Sequence, residues 1–302
     1  MAAALVAAAV GWFVSAPTRV TAAGLPDHRA DPAHGERIFY AGGCASCHAT
    51  PEAKGDDKLR LAGGLRLATD FGTFVVPNIS PDPDDGIGGW STEDFVDAVM
   101  SGVSPAGSHY YPAFPYTSYA RMRVEDVIDL KAFMDTLPPV AGRAGDHDLA
   151  FPFTIRRGVG LWKRLYLGPA PVAAVDPSNA ALMRGRYLVE GPGHCGECHT
   201  ARDAIGGLRL GHWLAGARNP EGKGRIPNIT PGDEGTGGWS EADIASLLES
   251  GFTPEFDSVG GRMAAVVENL SHLPDEDRAA IAAYLKAVPP LPDAVEPASA
   301  QE

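Results

Sequence analysis

The pattern Cys-x-x-Cys-His occurs twice, and no other feature constrains the chain as strongly. The copies occupy residues 44–48 and 195–199. In this pattern two thiols add across the vinyl groups of a porphyrin, and the adjacent His lies under the ring, where its imidazole binds iron. The repeat therefore predicts two covalently attached haem c groups. The predicted thioether attachments are Cys44, Cys47, Cys195 and Cys198, and the predicted proximal iron ligands are His48 and His199.

Zinc binding and a redox dithiol are the competing interpretations of a Cys-x-x-Cys pair. Tetrahedral zinc would need a fourth ligand close by, yet the four Cys of the chain all lie in the two motifs. A dithiol has no need of the His that follows. Two copies, each followed by His, favour haem over both alternatives.

A wider internal repeat surrounds the two motifs. Pro-Asn-Ile-Ser/Thr-Pro and Gly-Gly-Trp-Ser each occur once in either half, in the same order and at nearly the same offset, which indicates a duplication. The matched pairs are residues 77–81 with 227–231, residues 88–91 with 237–240 and, at a shorter offset, Gly63 with Gly206. We therefore expect two haem domains, at residues 27–140 and 180–290.

Helix signals recur in both halves. Ser91 and Ser240 each precede an acid by three residues, which is typical of a helix N-cap. Gly102 and Gly251 provide the matching C-terminal stops. The sequence shows no sustained strand alternation, so the predicted fold is all-α, with two small tandem domains.

The segments outside these domains differ in character. Residues 141–179 form a connector that is too apolar for a free tether, and we expect it to pack across both domains. Residues 291–302 are acidic and rich in Ala and Pro, which predicts a disordered tail.

The N-terminal segment is nearly unbroken apolar sequence from residue 2 to residue 16. It is short for a membrane span, which needs about 20 residues, and suits the core of a signal peptide. Basic residues that would precede such a core are missing, so we expect the natural start to lie upstream. Residues 1–26 are thus predicted to be a signal peptide, cleaved near residues 21–23, or a retained membrane anchor. Either one predicts a periplasmic protein, tethered to the inner membrane if the anchor is retained.

The charge balance restricts the partners. A formal net charge of -13 argues against binding to nucleic acid and against adsorption to anionic lipid. It fits a soluble face that meets a partner through charge complementarity.

The distal iron ligands are harder to predict than the proximal ones. Met is the usual partner where a c-type centre carries electrons. For the second haem we predict Met263, with His272 as the weaker rival. For the first haem the position matched to Met263 is Phe114, which cannot bind iron. Met122 is the prediction there, with His109 as the alternative, while Met100 and Met134 fall on predicted helices and are expected in the core.

Other side chains recur near the predicted sites. Indole and amide groups can donate to haem propionates, although Trp in a core and Asn in a turn explain the same residues. The candidates are Trp90, Trp239, Asn78 and Asn228. Arg121 and Arg262, each one residue before a predicted Met ligand, are weaker candidates for pairing with propionates, since a solvated surface charge is their alternative.

These motifs resemble those of a known group. Residues 111–116 (Tyr-Pro-Ala-Phe-Pro-Tyr) and 193–200, with the paired stretches above, are similar to the cytochrome c subunits of membrane-associated alcohol, aldehyde and gluconate dehydrogenases. The resemblance implies two tandem class I cytochrome c domains in a periplasmic subunit. Such subunits take electrons from a dehydrogenase partner and pass them to a quinone, cytochrome or oxidase. Members of the group commonly carry three haem domains, and some have Met where this chain has Phe114.

The leading hypothesis is therefore an electron-transfer protein with two haems and no substrate chemistry of its own. A di-haem enzyme, of the peroxidase or thiosulfate dehydrogenase type, is the alternative. A zinc-stabilised binding module is the third. Because the two distal sides differ in sequence, we also expect the haems to have different potentials.

Overall fold

The computed structural model describes residues 10–220 and 224–295. Residue contacts divide the chain into two units. Unit 1 contains the chain up to Glu36 together with Cys47–Pro169, and unit 2 contains Arg37–Ser46 and the chain from Ala170 onward. The division falls inside the first Cys-x-x-Cys-His motif. The domain limits inferred from the sequence stay predictions.

Unit 1 holds mainly short helices with a small antiparallel sheet. Helix α1 begins in this unit and ends in the segment grouped with unit 2, and α2 likewise crosses the division. The helices are α1 (Pro32–Ala41), α2 (Cys44–His48), α3 (Thr92–Val96, continued by a π-helical turn over Asp97–Ser101), α4 (Tyr116–Tyr119), α5 (Val124–Met134) and α6 (Gly158–Tyr166), with a 3-10 helix at Gly55–Arg60 and another at Ala22–Gly24. The strands are β1 (Arg66–Thr69), β2 (Gly72–Val75) and β3 (Asp148–Leu149).

Unit 2 repeats this order of elements with longer helices. Its helices are α7 (Ala180–Glu190), α8 (Gly196–His199), α9 (Glu241–Ser250), α10 (Arg262–Leu270) and α11 (Asp275–Ala287), with a 3-10 helix at Leu210–His212. Strands β4 (Ala217–Arg218) and β5 (Arg225–Ile226) form a hairpin. The apolar stripe of α11 is buried in the core of this unit, as its spacing predicts: Ile281, Tyr284, Leu285 and Val288.

A glycine lets two helices cross closely in each unit. A Cβ atom at Gly35 of α1 would overlap the carbonyl oxygen of Asp129 in α5, and one at Gly185 of α7 would overlap the carbonyl oxygen of Ala280 in α11. Any larger side chain would push the helices apart. The helix that leads into each haem motif is thereby held against α5 in unit 1 and against α11 in unit 2.

The predicted helix ends are confirmed. Ser91 and Ser240 both form capping boxes, in which the hydroxyl accepts from the backbone N–H three residues on and the acid there accepts from the Ser N–H. Gly102 and Gly251 end their helices in the left-handed conformation, at φ of 61° and 77°. The π-helical turn before Gly102 has no signal in the sequence.

The short strands were not predicted. Strand β2 pairs antiparallel with β1, with Leu67 opposite Phe74, and with β3, with Thr73 opposite Asp148. Strands of two to four residues are too short to give a detectable alternation of apolar and polar positions. The mostly helical architecture is confirmed, whereas "all-α" omits these strands.

The connector has structure of its own. Its β3 extends the sheet of unit 1, and its helix α6 contributes buried Lys163, whose ammonium donates to the carbonyls of Ser101 and Gly102 at 2.6 and 2.7 Å. Packing of this connector across both domains stays a prediction.

The structure describes part of each chain end. Residues 10–14 are helical, and in the described part of the chain no helix combines the length and apolar character needed to cross a bilayer. Leu291, placed by the sequence in a disordered tail, donates its N–H to the Thr230 hydroxyl at 3.1 Å, and Ala294 donates to the carbonyl of Ala215 at 2.8 Å. Most of the predicted apolar leader and the end of the tail, residues 1–9 and 296–302, lie outside the described residues.

Candidate haem sites

The first motif is itself a short helix, α2, which ends at His48. His48 Nδ1 donates to the carbonyl oxygen of Pro77 at 2.9 Å. A proton held on Nδ1 leaves the other ring nitrogen, Nε2, with its lone pair available to a metal. Local structure thus fixes both the tautomer and the ring orientation that a proximal haem ligand needs.

The second motif reproduces this arrangement. Cys195 caps helix α8, which ends at His199, and His199 Nδ1 donates to the carbonyl oxygen of Pro227 at 2.8 Å. Pro77 and Pro227 open the two Pro-Asn-Ile-Ser/Thr-Pro stretches. One function of the repeated pentapeptide is therefore to present a carbonyl to the motif His.

The Asn of each pentapeptide holds that carbonyl in place. Asn78 Oδ1 accepts from the N–H of Ser80, and its Nδ2 donates to the carbonyls of Val140 and Gly142 at 2.7 and 2.9 Å. Asn228 makes the matching bonds to Thr230 and to the carbonyl of Leu291, each at 2.8 Å.

Both Asn side chains are buried, and both use their amides within the protein. These bonds show that Asn78 and Asn228 organise turns. A contact of either residue with a propionate stays a prediction.

A glycine N–H also binds the backbone carbonyl of each motif His. The carbonyl of His48 accepts from the N–H of Gly63 at 2.7 Å, and that of His199 from Gly216 at 2.8 Å. Gly63 and Gly216 have φ of 72° and 86°, a region that glycine tolerates best. The pairing of Gly63 with Gly206 is wrong, because Gly206 closes a separate turn by donating to the carbonyl of Asp203.

Burial favours the neutral form of both imidazoles. Desolvation lowers the pKa of His48 to about 4, even though the carbonyl of Pro77 opposes this shift, and it also lowers the pKa of His199. Desolvation likewise raises the pKa of the Cys195 thiol to about 12. Neutral imidazole is the form that binds a metal.

Apolar side chains surround the second motif. A small cavity beside Cys195 is lined by aliphatic side chains and by the backbone of Gly193, with no charged side chain among them. The aliphatic lining residues are Ala41, Leu188, Val266, Leu270, Leu273 and Ile281. A porphyrin face needs such a surface. Two cysteine thiols, an oriented His and an apolar wall fit a covalently bound haem.

The distal candidates occupy different settings. Met263 is the second residue of α10 and packs, partly buried, against the core of unit 2. Met122 is buried in the turn between α4 and α5. Both assignments as iron ligands stay predictions, and Met134 is buried as expected for a core residue.

The rival histidines are engaged elsewhere. His109 Nε2 donates to the carbonyl of Ser15 at 2.8 Å, and its Nδ1 lies 3.1 Å from Lys163 Nζ, so both ring nitrogens have protein partners. The ring of His272 stacks on that of Tyr40, with centroids 3.9 Å apart. These contacts favour the Met predictions over the His alternatives.

The other propionate candidates have mixed outcomes. Arg121 donates to the carbonyl of Thr117 at 2.6 Å, which gives it a structural role in α4. Trp239 packs against the core of unit 2, and Trp90 is half-buried. A contact of Trp90, Trp239 or Arg262 with a propionate stays a prediction.

A buried hydrogen-bonded chain near the second motif was missed. Glu190, the last residue of α7, accepts from the N–H groups of Val172 and Ala173 and from the Tyr284 hydroxyl at 2.7 Å. The indole of Trp213 donates to the same hydroxyl at 3.1 Å. Desolvation and the Glu190 carboxylate raise the pKa of Tyr284. An acid at the end of an apolar helix was the only signal for this chain.

A protein-family comparison places the two motifs. The cytochrome c family model matches residues 32–138 and 182–289. The chain belongs to the cytochrome c family. Each matched segment contains one Cys-x-x-Cys-His motif and the Pro-Asn-Ile-Ser/Thr-Pro turn that orients its His.

Curated relatives agree with this assignment. The chain is 56% identical over 287 residues to a "Diheme cytochrome c-type" protein of Cereibacter sphaeroides, with 95% of this chain and 96% of the relative covered. It is 39% identical over 282 residues to the gluconate 2-dehydrogenase cytochrome c subunit of Pantoea cypripedii, and 37% identical over 276 residues to the fructose dehydrogenase cytochrome subunit of Gluconobacter japonicus.

The lengths of these relatives differ. The aligned region covers 62% of the Pantoea subunit and 55% of the Gluconobacter subunit, whereas it covers nearly all of the Cereibacter protein. The two family matches and the di-haem relative agree with the paired motifs. This cytochrome c carries two covalently attached haem c groups.

Proposed function

We propose that this cytochrome c is a periplasmic electron-transfer subunit that accepts electrons from a partner dehydrogenase and passes them to a respiratory quinone, cytochrome or oxidase. The observation that carries the proposal is the identical holding of both motif histidines, by the carbonyls of Pro77 and Pro227. Relatives that are cytochrome subunits of gluconate and fructose dehydrogenases support the kind of partner.

Bound haem supplies a one-electron redox centre, and the protein determines how easily that centre changes charge. A carbonyl that accepts from Nδ1 makes the imidazole a better electron donor and keeps its plane fixed. The apolar wall beside Cys195 excludes water from one face. Two rigidly held His ligands suit repeated electron transfer, which needs little rearrangement of the site.

Charge supports docking to a protein partner. The net charge of -13 gives the surface an acidic character, and a basic face on the dehydrogenase or on the acceptor would be attracted to it. We expect the rate of electron transfer to fall as ionic strength rises, because salt screens such attraction.

The test begins with the holoprotein purified from native membranes together with whatever binds it. Sugars, alcohols, aldehydes and aldonic acids are added in turn, and reduction of the haems is followed by absorbance. We expect one substrate class to reduce both haems through a co-purified dehydrogenase. Purified holoprotein that oxidises such a substrate without any partner would overturn the proposal.

A di-haem peroxidase is the second candidate, and one residue favours it. Phe114 stands at the position matched to Met263 and cannot bind iron, which would leave the first haem free to open a site if Met122 is not its ligand. Peroxide added to the half-reduced protein distinguishes the two functions. Rapid turnover would favour the enzyme, and slow stoichiometric oxidation is expected of the electron carrier.

A further inference from the structure

Two stretches of this acidic chain contain no acid. In residues 1–26 the only charged residue is Arg19. In residues 149–175 the charged residues are all basic: Arg156, Arg157, Lys163 and Arg164. Five basic residues and no carboxylate therefore stand against a net charge of -13 for the whole chain. Such segregation of charge is unexpected for a surface that only needs to be soluble.

Unit 1 brings these two stretches together. The guanidinium of Arg157 donates to the carbonyl of Trp12 at 2.6 Å and to the hydroxyl of Ser15 at 3.0 Å, and it lies over the Trp12 ring. Arg164 donates to the carbonyl of Val14 at 3.1 Å. The last carbonyls of the helix over residues 10–14 are thus bound by arginines of the connector.

The N-terminal segment is also built into the fold further along. Asp97 is 1% exposed, and it accepts from the Val20 N–H at 2.8 Å and from Arg19 Nε at 3.3 Å. Cleavage near residues 21–23 would leave this buried carboxylate without both partners, which is costly. The contacts favour a segment that is retained in the mature protein.

Large apolar side chains are exposed on the same two stretches. In the described residues fourteen large hydrophobic side chains are exposed, and nine of them lie in residues 10–14 and 151–165. Trp12, Phe13 and Phe151 are 62%, 76% and 79% exposed. On α6, Leu161 and Leu165 are four residues apart, so they share one face of the helix.

We infer that residues 10–14 and 151–165 form a membrane-docking face of unit 1, whose occupant is a bilayer surface that contains anionic phospholipid. Aromatic and aliphatic side chains would enter the boundary between headgroups and acyl chains, while arginines contact phosphates. In the described residues, none of Arg156, Arg157 and Arg164 pairs with a carboxylate, so their charge remains available.

A lipid surface fits this face better than a protein partner does. The residues that precede this face in the sequence, 2–9, are apolar as well, and a bilayer accepts a surface that combines apolar and basic side chains. The acidic remainder of the chain is repelled by anionic lipid, which would orient the protein with this face toward the membrane. The inference rests on the periplasmic location given under the proposed function, but it does not rest on electron transfer.

Vesicle co-sedimentation of the full holoprotein tests the inference. We expect it to bind vesicles of phosphatidylcholine with phosphatidylglycerol, to bind pure phosphatidylcholine less, and to be weakened by high salt. The double variant Leu161→Gln, Leu165→Gln is expected to bind the anionic vesicles about tenfold more weakly. The matched control is Ile205→Gln, Phe256→Gln, which changes two exposed apolar side chains of unit 2 and is expected to bind like the wild type.

Two results would overturn the inference. In the first, the α6 variant, with both haem spectra and its helical content intact, binds anionic vesicles as tightly as the wild type. In the second, that variant keeps vesicle binding but is no longer reduced by its dehydrogenase, which would make the face a protein-docking surface. Failure of electron transfer in every variant, the control included, would count against the proposed function instead.

Discussion

The two haem sites share their proximal sides and differ on their distal sides. His48 and His199 are each held between a Pro carbonyl and a Gly N–H, at nearly equal distances. Distal to the first haem motif, the segment between α3 and α5 is aromatic, and Phe114 meets the Tyr119 ring edge-on at 5.7 Å. The segment between α9 and α10 instead contains Gly260 and Gly261.

This contrast shows which side of each site is constrained by the covalent attachment of haem. The proximal side needs one ring orientation, so both units keep the same pentapeptide. The distal side tolerates a different chain path, provided that a ligand reaches the iron. Differences between the two haems in potential are therefore expected to arise on the distal side.

The distal part of unit 1 is also supported by the connector. Lys163 lies over the Tyr116 ring at 4.6 Å, and the indole of Trp162 meets the same ring edge-on. The carbonyl of Gly102 also accepts from the N–H of Tyr110 at 2.7 Å, and in unit 2 the matched carbonyl of Gly251 accepts from the N–H of Val259 at 2.9 Å. Both units thus bind this carbonyl locally, and in unit 1 the connector adds the Lys163 ammonium to it.

The largest effect is expected from removing the distal ligands one at a time. Met263→Ala and Met122→Ala are each expected to abolish the near-infrared sulfur-to-iron band of one haem. Each is also expected to lower that haem's potential by roughly tenths of a volt, within the ~0.8 V range that axial ligands span. Absorbance and redox titration measure both effects.

Met134→Leu is the matched control, because Met134 is buried in α5 and has no proposed contact with iron. If the band of both haems survives in Met122→Ala, the first distal ligand is misassigned. His109→Ala then tests the alternative. A redox titration of the wild type that shows a single potential would contradict the expectation that the two haems differ in potential.

The next largest effect concerns a feature that the units share. Gly35→Ala and Gly185→Ala each insert a Cβ into a helix crossing, against the backbone of Asp129 or Ala280. We expect the free energy of unfolding to fall by about 1–3 kcal/mol in each variant, as overpacking usually costs. Urea denaturation measures it.

Gly158→Ala is the control, since a Cβ at that exposed position of α6 meets no atom within 4 Å. We expect it to be neutral. A large cost for one crossing glycine and none for the other would show that the two helix pairs pack differently, despite their similar geometry.

Much of the site was predictable because its signals are side chains at fixed spacing. The two motifs gave the four Cys and both His, and the capping pairs Ser91–Asp94 and Ser240–Asp243 gave two helix starts. Backbone groups gave no such signal. The role of the Pro77 and Pro227 carbonyls lies in atoms that every residue possesses, so the repeated pentapeptide showed that something was shared but not what.

Loop lengths hid other features. Gly63 and Gly216 perform the same task 153 residues apart, whereas the two haem motifs are 151 residues apart, and this change of offset led to the wrong pairing with Gly206. Strand β3 consists of two residues, and the β2 residues with which they pair lie 75 and 77 residues earlier in the chain, so short-range periodicity cannot detect the strand.

An effect of similar size is expected from the buried chain of unit 2. Tyr284→Phe removes the hydroxyl that donates to Glu190 and accepts from the indole of Trp213. We expect a loss of about 1–3 kcal/mol in the free energy of unfolding, because the indole N–H of Trp213 loses the hydroxyl to which it donates. The buried oxygen of Glu190 loses one donor as well, while the N–H of Ala173 remains bound to it. Phe133→Tyr is the counterpart in α5 and tests whether unit 1 has room for such a hydroxyl. A Tyr284→Phe variant as stable as the wild type would contradict the proposed role of this chain.

The last effect is a dependence on pH that belongs to unit 1. Burial lowers the pKa of Lys163 to about 7 from its ordinary value of 10.5. Between these two pH values the unfolded chain binds a proton that the folded chain does not, so the stability of unit 1 is expected to rise with pH across this window and to level off above it. Below pH 7 Lys163 is protonated in both states, so the free energy of unfolding no longer depends on pH through this residue.

Urea midpoints at pH 6.5, 8 and 9.5 measure this slope, and Lys163→Met is expected to reduce it whatever its effect on the stability itself. Lys286→Met is the matched control, since Lys286 also donates to three backbone carbonyls but lies in unit 2. Equal slopes in the wild type and in Lys163→Met would mean that the carbonyls of Ser101 and Gly102, with the Tyr116 ring, hold the ammonium charged throughout. In that case the connector supports unit 1 through a fixed charge, and the pH difference between the two units disappears.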